Sequence, residues 1–450
     1  MQTNTTAQAV KTSFGIILPI IIISYFMIIL DNSIIFTGSV KIAQEFGLNQ
    51  SQLSWVSNAY ALTFGGFLLF GGRAGDIFGR KNIFNAGLVI FGLGSLFVSI
   101  APSLAVMIPA RAFQGLGSAI LAPTSLALLM DTYTGETRTR AIALYGSTAG
   151  LGAAAGLILG GLCASLWTWR IGFLINVPIS LVMLLGSLRF VHSSQQTKSG
   201  TLDLPGTILS VVGIVALVYA LVGSVAQGLS LVIAVLFIAT FILREAKTKN
   251  PMMPLRLFAD RERLTAYIGR FFYLAAMMTF WYFTPQAMQR VLGFSPLTTA
   301  FMFIPLTVVN FIVALQVAPL TKKFGNRRVL LIGVSLTFVG LLSMQLFRVW
   351  PNYLIGLALP MILTGAGQGL ALSPLTVAGV ANTTASESGA ASGVVNMLHQ
   401  IGGAVGVAVV VSITGKIVPF VHQFNTATLL VAALMAVSII AVCFMPKQKG

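Results

Sequence analysis

The sequence predicts an all-helical protein threaded repeatedly through a membrane. Two observations carry that reading: of 450 residues, 56% are hydrophobic and only 8% charged, and the mean hydropathy is +0.91. Soluble domains carry about 25% charged residues, so this chain cannot build a water-facing surface over most of its length. A third observation is the recurrence of apolar runs of about 20 residues, the length needed to cross the hydrocarbon core. Fourteen are found: 14–37, 52–71, 82–100, 104–131, 141–163, 171–190, 206–226, 229–245, 264–287, 296–319, 329–348, 353–377, 389–414 and 424–445. They lack the two-residue alternation of barrel strands, and unpaired backbone is costly in lipid, so each is expected to be a helix. The stretch 1–11 is polar and short. The first apolar run is longer than a signal-peptide core and has no small-residue cleavage site, which predicts a retained first helix.

Charge placement sets the expected orientation. The net charge of +17 would suit an anionic partner, but membrane proteins concentrate Lys and Arg on cytoplasmic loops. With the N-terminus inside, twenty basic residues fall on the cytoplasmic side, among them Lys11, Arg73, Arg80, Lys81, Lys198, Lys249, Lys322, Arg327 and Lys447. Five fall outside: Lys41, Arg170, Arg290, Arg348 and Lys416. That asymmetry places both termini in the cytoplasm and removes the need for a nucleic-acid partner. The longest hydrophilic segments, 191–205 and 246–263, are too short to fold as a domain, and no phosphate-binding loop or zinc-protease motif is present. Energy for pumping must then come from an ion gradient. Cys163 and Cys443 lie in apolar runs with no metal or disulfide spacing, so neither metal nor cofactor is expected.

An internal repeat supports a transporter plan. Phe78-Gly79-Arg80-Lys81 after the second run and Phe324-Gly325-Asn326-Arg327 after the tenth share a Phe-Gly-x-basic pattern at an offset of 246 residues. Duplicated halves around a central site are usual in transporters. The offset pairs runs 1–6 with runs 9–14, giving bundles over 1–190 and 264–450 with two inserted helices in 191–263.

The motifs themselves resemble those of the major facilitator superfamily. Gly72–Lys81 is similar to the family's G-x-L-x-D-R-x-G-R-K loop, with Ala74 and Ile77 as departures. Arg111-Ala-Phe-Gln114-Gly115-Leu-Gly117 is similar to its R-x-x-Q-G-x-G element. Gly152–Gly161 is similar to the antiporter element G-x-x-x-G-P-x-x-G-G, with Leu157 in place of Pro. Leu30-Asp31-Asn-Ser33-Ile34, Trp55-Val-Ser-Asn58-Ala-Tyr60 and Trp169-Arg170…Asn176-Val-Pro178 narrow the likeness to the fourteen-helix drug:H⁺ antiporters. Phe36 and Val40 stand where that branch usually has Asn and Pro. The resemblance implies a two-bundle fold with two inserted helices in a bacterial plasma membrane. It also implies a monomer that exports lipophilic, often cationic drugs in exchange for protons among membrane lipids.

The residues can be assigned physical tasks. Asp31 is the only acid well inside an apolar run, about a turn and a half from its outer end; such carboxylates are costly and usually functional. Burial disfavours its charged form, so it can take and lose a proton, and it can also pair with a cation. Arg111 needs a carboxylate, backbone carbonyls or water, and the resemblance assigns it to proton coupling. Gln114 shares its face. Asp76, Arg80 and Lys81 read as a cytoplasmic latch in which Asp76 caps a helix or pairs with a base, and Asp131, Glu136, Arg138 and Arg140 extend the network. Gly152, Gly156, Gly160 and Gly161 suit close helix packing, with or without a gating role. Tyr273 and Trp281 belong to an aromatic run that suits either flat cations or the membrane interface. His399, near Asn396, can titrate or hydrogen-bond between helices. Trp55, Asn58, Tyr60, Gln114, Tyr273, Trp281, Asn396 and His399 are the expected cavity residues.

A substrate-specific exporter or importer of a metabolite or lipid is the alternative within transport. An enzyme is disfavoured by three His and a single deep Asp. A cysteine introduced near Lys249, in a background lacking Cys163 and Cys443, should resist membrane-impermeant thiol reagents in intact cells; ready labelling would reverse the orientation.

Overall fold

The computed structural model describes residues 14–192, 203–223, 225–248, 251–384 and 387–446. The expectations for 1–11, Lys198, Lys249, Lys447, Lys449 and the termini lie outside the described residues. Eighteen α-helices and no strand occur among the described residues. The first nine are α1 (Ile17–Phe46), α2 (Gln50–Phe78), α3 (Arg80–Ser99), α4 (Leu104–Thr132), α5 (Gly135–Leu166), α6 (Trp169–Leu174), α7 (Asn176–Phe190), α8 (Leu204–Val222) and α9 (Gln227–Lys247). The others are α10 (Arg261–Arg290), α11 (Pro296–Met302), α12 (Ile304–Leu315), α13 (Val317–Phe324), α14 (Asn326–Ser343), α15 (Leu346–Val349), α16 (Leu359–Gly379), α17 (Ser388–Thr414) and α18 (Phe420–Cys443).

Taking α6 with α7, α11 with α12, and the segments around α15 and α16 as continuous runs, thirteen helices among the described residues are long and apolar enough to cross a membrane. The expected run 264–287 lies on α10, which is not among them by composition. Its Arg263, Arg270, Thr265, Thr279, Thr284 and Gln286 are all buried, because α10 packs against α1, α16, α17 and α18 rather than against lipid. A helix shielded by its neighbours need not be apolar.

The first run extends further than its composition suggests. Helix α1 continues to Phe46 and ends on Gly47 in the left-handed region, φ 63°. Asp31 therefore stands near the middle of α1, not a turn and a half from its end.

The packing repeats. In the first half α1 packs on α5, α2 and α3 pack on α4, and α3 packs on α7. In the second, α10 packs on α17, α12 and α14 pack on α16, and α14 packs on α18. Glycines recur with it. A Cβ on Gly87 or Gly94 would meet α4 at Leu121 (3.2 Å) and Gln114 (2.7 Å). Gly333 and Gly340, each 246 residues on, face Ala371 (2.9 Å) and Thr364 (2.7 Å) of α16. Gly79 (φ 91°) and Gly325 (φ 81°) make the single-residue junctions α2–α3 and α13–α14, a conformation open to few other residues. Beyond each, the basic residue ties down the last helix of its half: Lys81 Nζ donates to Leu188 O (3.2 Å) and Arg327 Nη2 to Cys443 O (2.7 Å).

Helices α8 and α9 pack on each other, and α8 rests on α2 and α17. Asp203 clasps this pair, accepting from Gly206 N (3.0 Å) and from Arg244 Nε (2.8 Å) and Nη2 (2.7 Å) of α9. Burial alone would raise its carboxyl, but Arg244 and the Gly206 N–H hold it below the usual carboxylate range. The clasp is therefore at full strength near neutral pH and fades as pH falls through that lowered value.

Gly340→Val should force α14 from α16 and cost about 1–3 kcal/mol, seen as a lower unfolding temperature of the purified protein. Gly146→Ala, where nothing lies within 4 Å of the new Cβ, should leave it unchanged or higher.

Candidate functional site

The deepest charges of the first half meet. Asp31 of α1 is 0% exposed and Arg111 of α4 1%. Arg111 Nη1 donates to Asp31 Oδ2 at 2.7 Å and to Gln114 Oε1 at 2.6 Å, and Arg111 Nε donates to Val56 O at 3.1 Å. Asp31 Oδ1 accepts from Gln114 Nε2 (2.8 Å) and Asn176 Nδ2 (2.9 Å), and Gln114 Nε2 also donates to Ser95 Oγ (2.7 Å). The guanidinium lies 4.4 Å from the Tyr60 ring centre and 5.4 Å from that of Phe173. Six helices, α1 to α4 with α6 and α7, converge here because the glycine seam draws α3 onto α4. A break at Ile175, between α6 and α7, puts Asn176 at the start of α7, where it reaches the carboxylate.

This cluster does not open on the large cavity. The cavity, about 1330 Å³, is bordered by the next residues of α1, Asn32, Ser33 and Phe36, and by Met278, Trp281, Gln368, Asn396, His399 and Gln400 from the second half. Asn32 links the two, donating to the Tyr60 hydroxyl (3.3 Å), which is 2.7 Å from Ser118 Oγ. A group bound against Asn32 is thus one hydrogen bond away from the ring that covers Arg111.

The cavity mouth lies at the Asp76 end of α2 and is bordered by Arg73, Asp76, Arg80, Glu245, Arg256 and Glu387. At the opposite end the halves are joined. Gln50 Nε2 donates to Gln286 Oε1 (2.8 Å), the Tyr282 hydroxyl donates to Gln50 Oε1 (2.8 Å), and Gln289 Nε2 donates to Thr37 O (3.0 Å). Leu297 N donates to Ser165 Oγ at 2.9 Å. Gly161 completes the seal, since a Cβ there would lie 2.7 Å from Pro296 O.

The other expected residues are placed as follows. Trp281, Asn396 and His399 border the cavity; Trp55, Asn58, Tyr60, Gln114 and Tyr273 do not. Tyr60 and Gln114 turn into the Asp31 cluster, Trp55 packs on Tyr219 of α8 (6.0 Å between rings), and Asn58 and Tyr273 are buried in helix seams. Asp31 itself faces Arg111, so in this conformation it does not meet a compound in the cavity. At the mouth, Arg80 joins Asp76 (3.0 Å) to Asp131 (2.5 Å), whereas Glu136 and Arg140 pair separately on α5 (2.6 Å). Asp76 pairs with a base here rather than capping a helix. Gly152, Gly156 and Gly160 face α1: their Cβ atoms would meet Ile29 (3.1 Å), Leu30 O (2.5 Å) and Thr37 Oγ1 (2.7 Å). His399 Nδ1 lies 3.1 Å from Arg270 Nη2, a hydrogen bond between α17 and α10. No group of three or more His, Cys, Asp or Glu suited to a metal occurs among the described residues.

Asn176, Ser95, the Gln50–Tyr282–Gln286 seal and the Arg256–Glu387 pair (2.5 Å) are additions the sequence reading did not assign. Asn176 carried a signal, standing at the start of an Asn-Val-Pro stretch that interrupts an apolar run.

Comparison with known proteins gives one answer. Residues 21–407 match the Major Facilitator Superfamily. The chain is 33% identical over 427 residues to the puromycin resistance protein pur8 of Streptomyces alboniger, covering 91% of this chain and 84% of that one. It is 33% identical over 405 residues to the cephamycin export protein CmcT of Amycolatopsis lactamdurans (87% and 83% covered). It is 29% identical over 405 residues to the multidrug efflux pump LfrA of Mycolicibacterium smegmatis (88% and 80%). Among solved structures, a peptide transporter superposes with a TM-score of 0.71 at 14% identity, covering 95% of this chain and 93% of that chain. A bacterial homologue of the lysosomal transporter Spinster, inward-facing, gives 0.68 at 15%, with 95% of both covered. At such identities the structural likeness is one of fold.

Replacing Arg111 with Gln strands the Asp31 carboxylate and should cost about 3–5 kcal/mol. Adding Asp31→Asn to Arg111→Gln removes the stranded charge, so thermal unfolding in detergent should show the double variant more stable than Arg111→Gln alone.

Proposed function

The chain belongs to the Major Facilitator Superfamily, a family of transporters, and on that premise we propose that it is a proton-coupled exporter of hydrophobic, drug-like compounds. It is read as working by alternating access in the cell membrane, as a monomer with both termini cytoplasmic. The supporting observation is the Asp31–Arg111 pair, buried in mid-helix beside a cavity open at the basic end of α2 and sealed at the other. Relatives named for puromycin resistance, cephamycin export and multidrug efflux favour export of drugs, lipophilic cations included, over uptake of a metabolite.

In this reading α10 is the fourteenth span. Residues 1–190 and 264–450 form the two bundles, and α8 and α9 form the insertion; the matching packing in the two halves supports that division. The conformation described is the inward one. A compound enters past the Arg80 and Arg256 ion pairs and lies against Phe36 and Trp281, whose rings stack at 5.9 Å. Its pressure on Asn32 is passed through Tyr60 to Arg111.

Protonation of Asp31 dissolves its bond to Arg111 and frees α1 from α4. In the outward state water reaches the cluster, the proton is taken up and the compound released. Return to the inward state releases the proton and rebuilds the pair. The Asp76–Arg80–Asp131 network and Lys81 hold the ends of α2, α4 and α7 together, and so act as a latch. Gly152, Gly156, Gly160 and Gly161 let α5 slide close to α1 and α11.

Asp31→Asn should abolish export of ethidium driven by a pH gradient in proteoliposomes. It should also abolish ethidium-induced proton release from the purified protein in weak buffer. If Asp31→Asn releases as many protons as wild type, the carrier lies elsewhere.

A further inference from the structure

Behind the cavity wall of the second half, next to His399, lies a buried positive charge that no acid among the described residues neutralises. Arg270 of α10 is 6% exposed. Its Nη1 donates to Thr376 Oγ1 at 2.8 Å, its Nη2 lies 3.1 Å from His399 Nδ1, and its Nε has no partner. No carboxylate is within ion-pair distance of it among the described residues. Arg111, the buried cation of the first half, is answered by Asp31. A buried cation without a counter-charge is costly, which leaves room for one supplied from the cavity.

The geometry also fixes the imidazole. A guanidinium carries donors only, so Arg270 donates and His399 Nδ1 accepts. The ring proton then sits on Nε2. His399 borders the cavity, and no protein group among the described residues takes a hydrogen bond from Nε2. Gln368 and Gln400 border the same cavity and carry amide donors, and Gln368 Oε1 is buried without a partner. The acids on the cavity wall belong to its mouth and are engaged there: Asp76 with Arg80, Glu387 with Arg256, and Glu245 with Met253 N (2.8 Å).

We propose that the Arg270–His399 pair is a seat for a carboxylate, so that the compounds carried include amphiphilic organic acids. The His399 Nε2–H donates to the carboxylate, Arg270 behind it supplies the counter-charge, and the apolar body lies against Phe36, Met278 and Trp281. This rests on the export reading of the same cavity and adds a class of substrate to it.

The test uses the full-length protein in nanodiscs with three pyrene probes: 1-pyrenebutyrate, its methyl ester and 1-pyrenebutylamine. Wild type should bind the acid about tenfold more tightly than the ester. His399→Phe and Arg270→Met should each erase that preference with little change for the ester. His399→Gln, which keeps an N–H donor, should retain part of it and guards against misfolding of the other two. Equal binding of acid and ester by wild type, preference for the amine, or a preference for the acid that survives in both His399→Phe and Arg270→Met would overturn the seat. Ethidium export in proteoliposomes separates the two readings. Export without preference for the acid sinks the carboxylate seat alone, whereas transport of neither ethidium nor pyrenebutyrate sinks the exporter.

Discussion

An ion pair with no water around it organises the first half of this molecule. Coulomb attraction is strong at low dielectric, but so is the cost of removing both charges from water, and only a closed set of hydrogen bonds keeps the balance favourable. Both Asp31 oxygens are engaged by Arg111, Gln114 and Asn176, and Arg111 spends further donors on Gln114 and Val56 O. The glycines that bring α3 to α4, and the break before α7, are what allow those partners to arrive. Packing here serves the charge as much as the charge serves packing.

Much of this was legible in the sequence because charge is rare in apolar runs. Asp31 and Arg111 announce themselves wherever the helix boundaries are drawn, and a deep guanidinium needs a carboxylate, carbonyls or water. The repeat was legible too, since a Phe-Gly-basic junction recurs at the position where the second helix of each half gives way to the third. Helix faces were not legible. A helix surrounded by other helices and lipid has no polar side to mark its orientation, so Trp55, Asn58 and Tyr60 were expected on the cavity and instead lie in seams. Arg270 lies within the run 264–287, and nothing in the sequence shows that it lacks an acid beside it. The full length of α1 was hidden because Thr37, Ser39 and Lys41 end the apolar run nine residues before the helix ends.

The duplicated halves share backbone and differ in chemistry. Gly79 and Gly325, the seams of α3 on α4 and of α14 on α16, and the lysine or arginine that ties each last helix repeat closely. The polar groups do not: one half holds a compensated pair away from the cavity, the other an imidazole at its wall with an unanswered guanidinium behind it. On the proposed reading, the common frame gives two bodies able to rock, and the differing polar groups decide what each body responds to.

The two ends of the cavity are bordered by different kinds of bond. The sealed end joins the halves through neutral amides, a phenol and a hydroxyl, while the mouth is ringed by ion pairs that are partly exposed. Dissolved salt weakens the second kind and hardly touches the first, because screening at physiological ionic strength acts over about 8 Å on charges that water reaches. In the proposed orientation the protein therefore meets the controlled ionic composition of the cytoplasm with the ion pairs that ring its mouth. To the other compartment, in that orientation, it presents a seam between the halves whose joining bonds salt leaves alone.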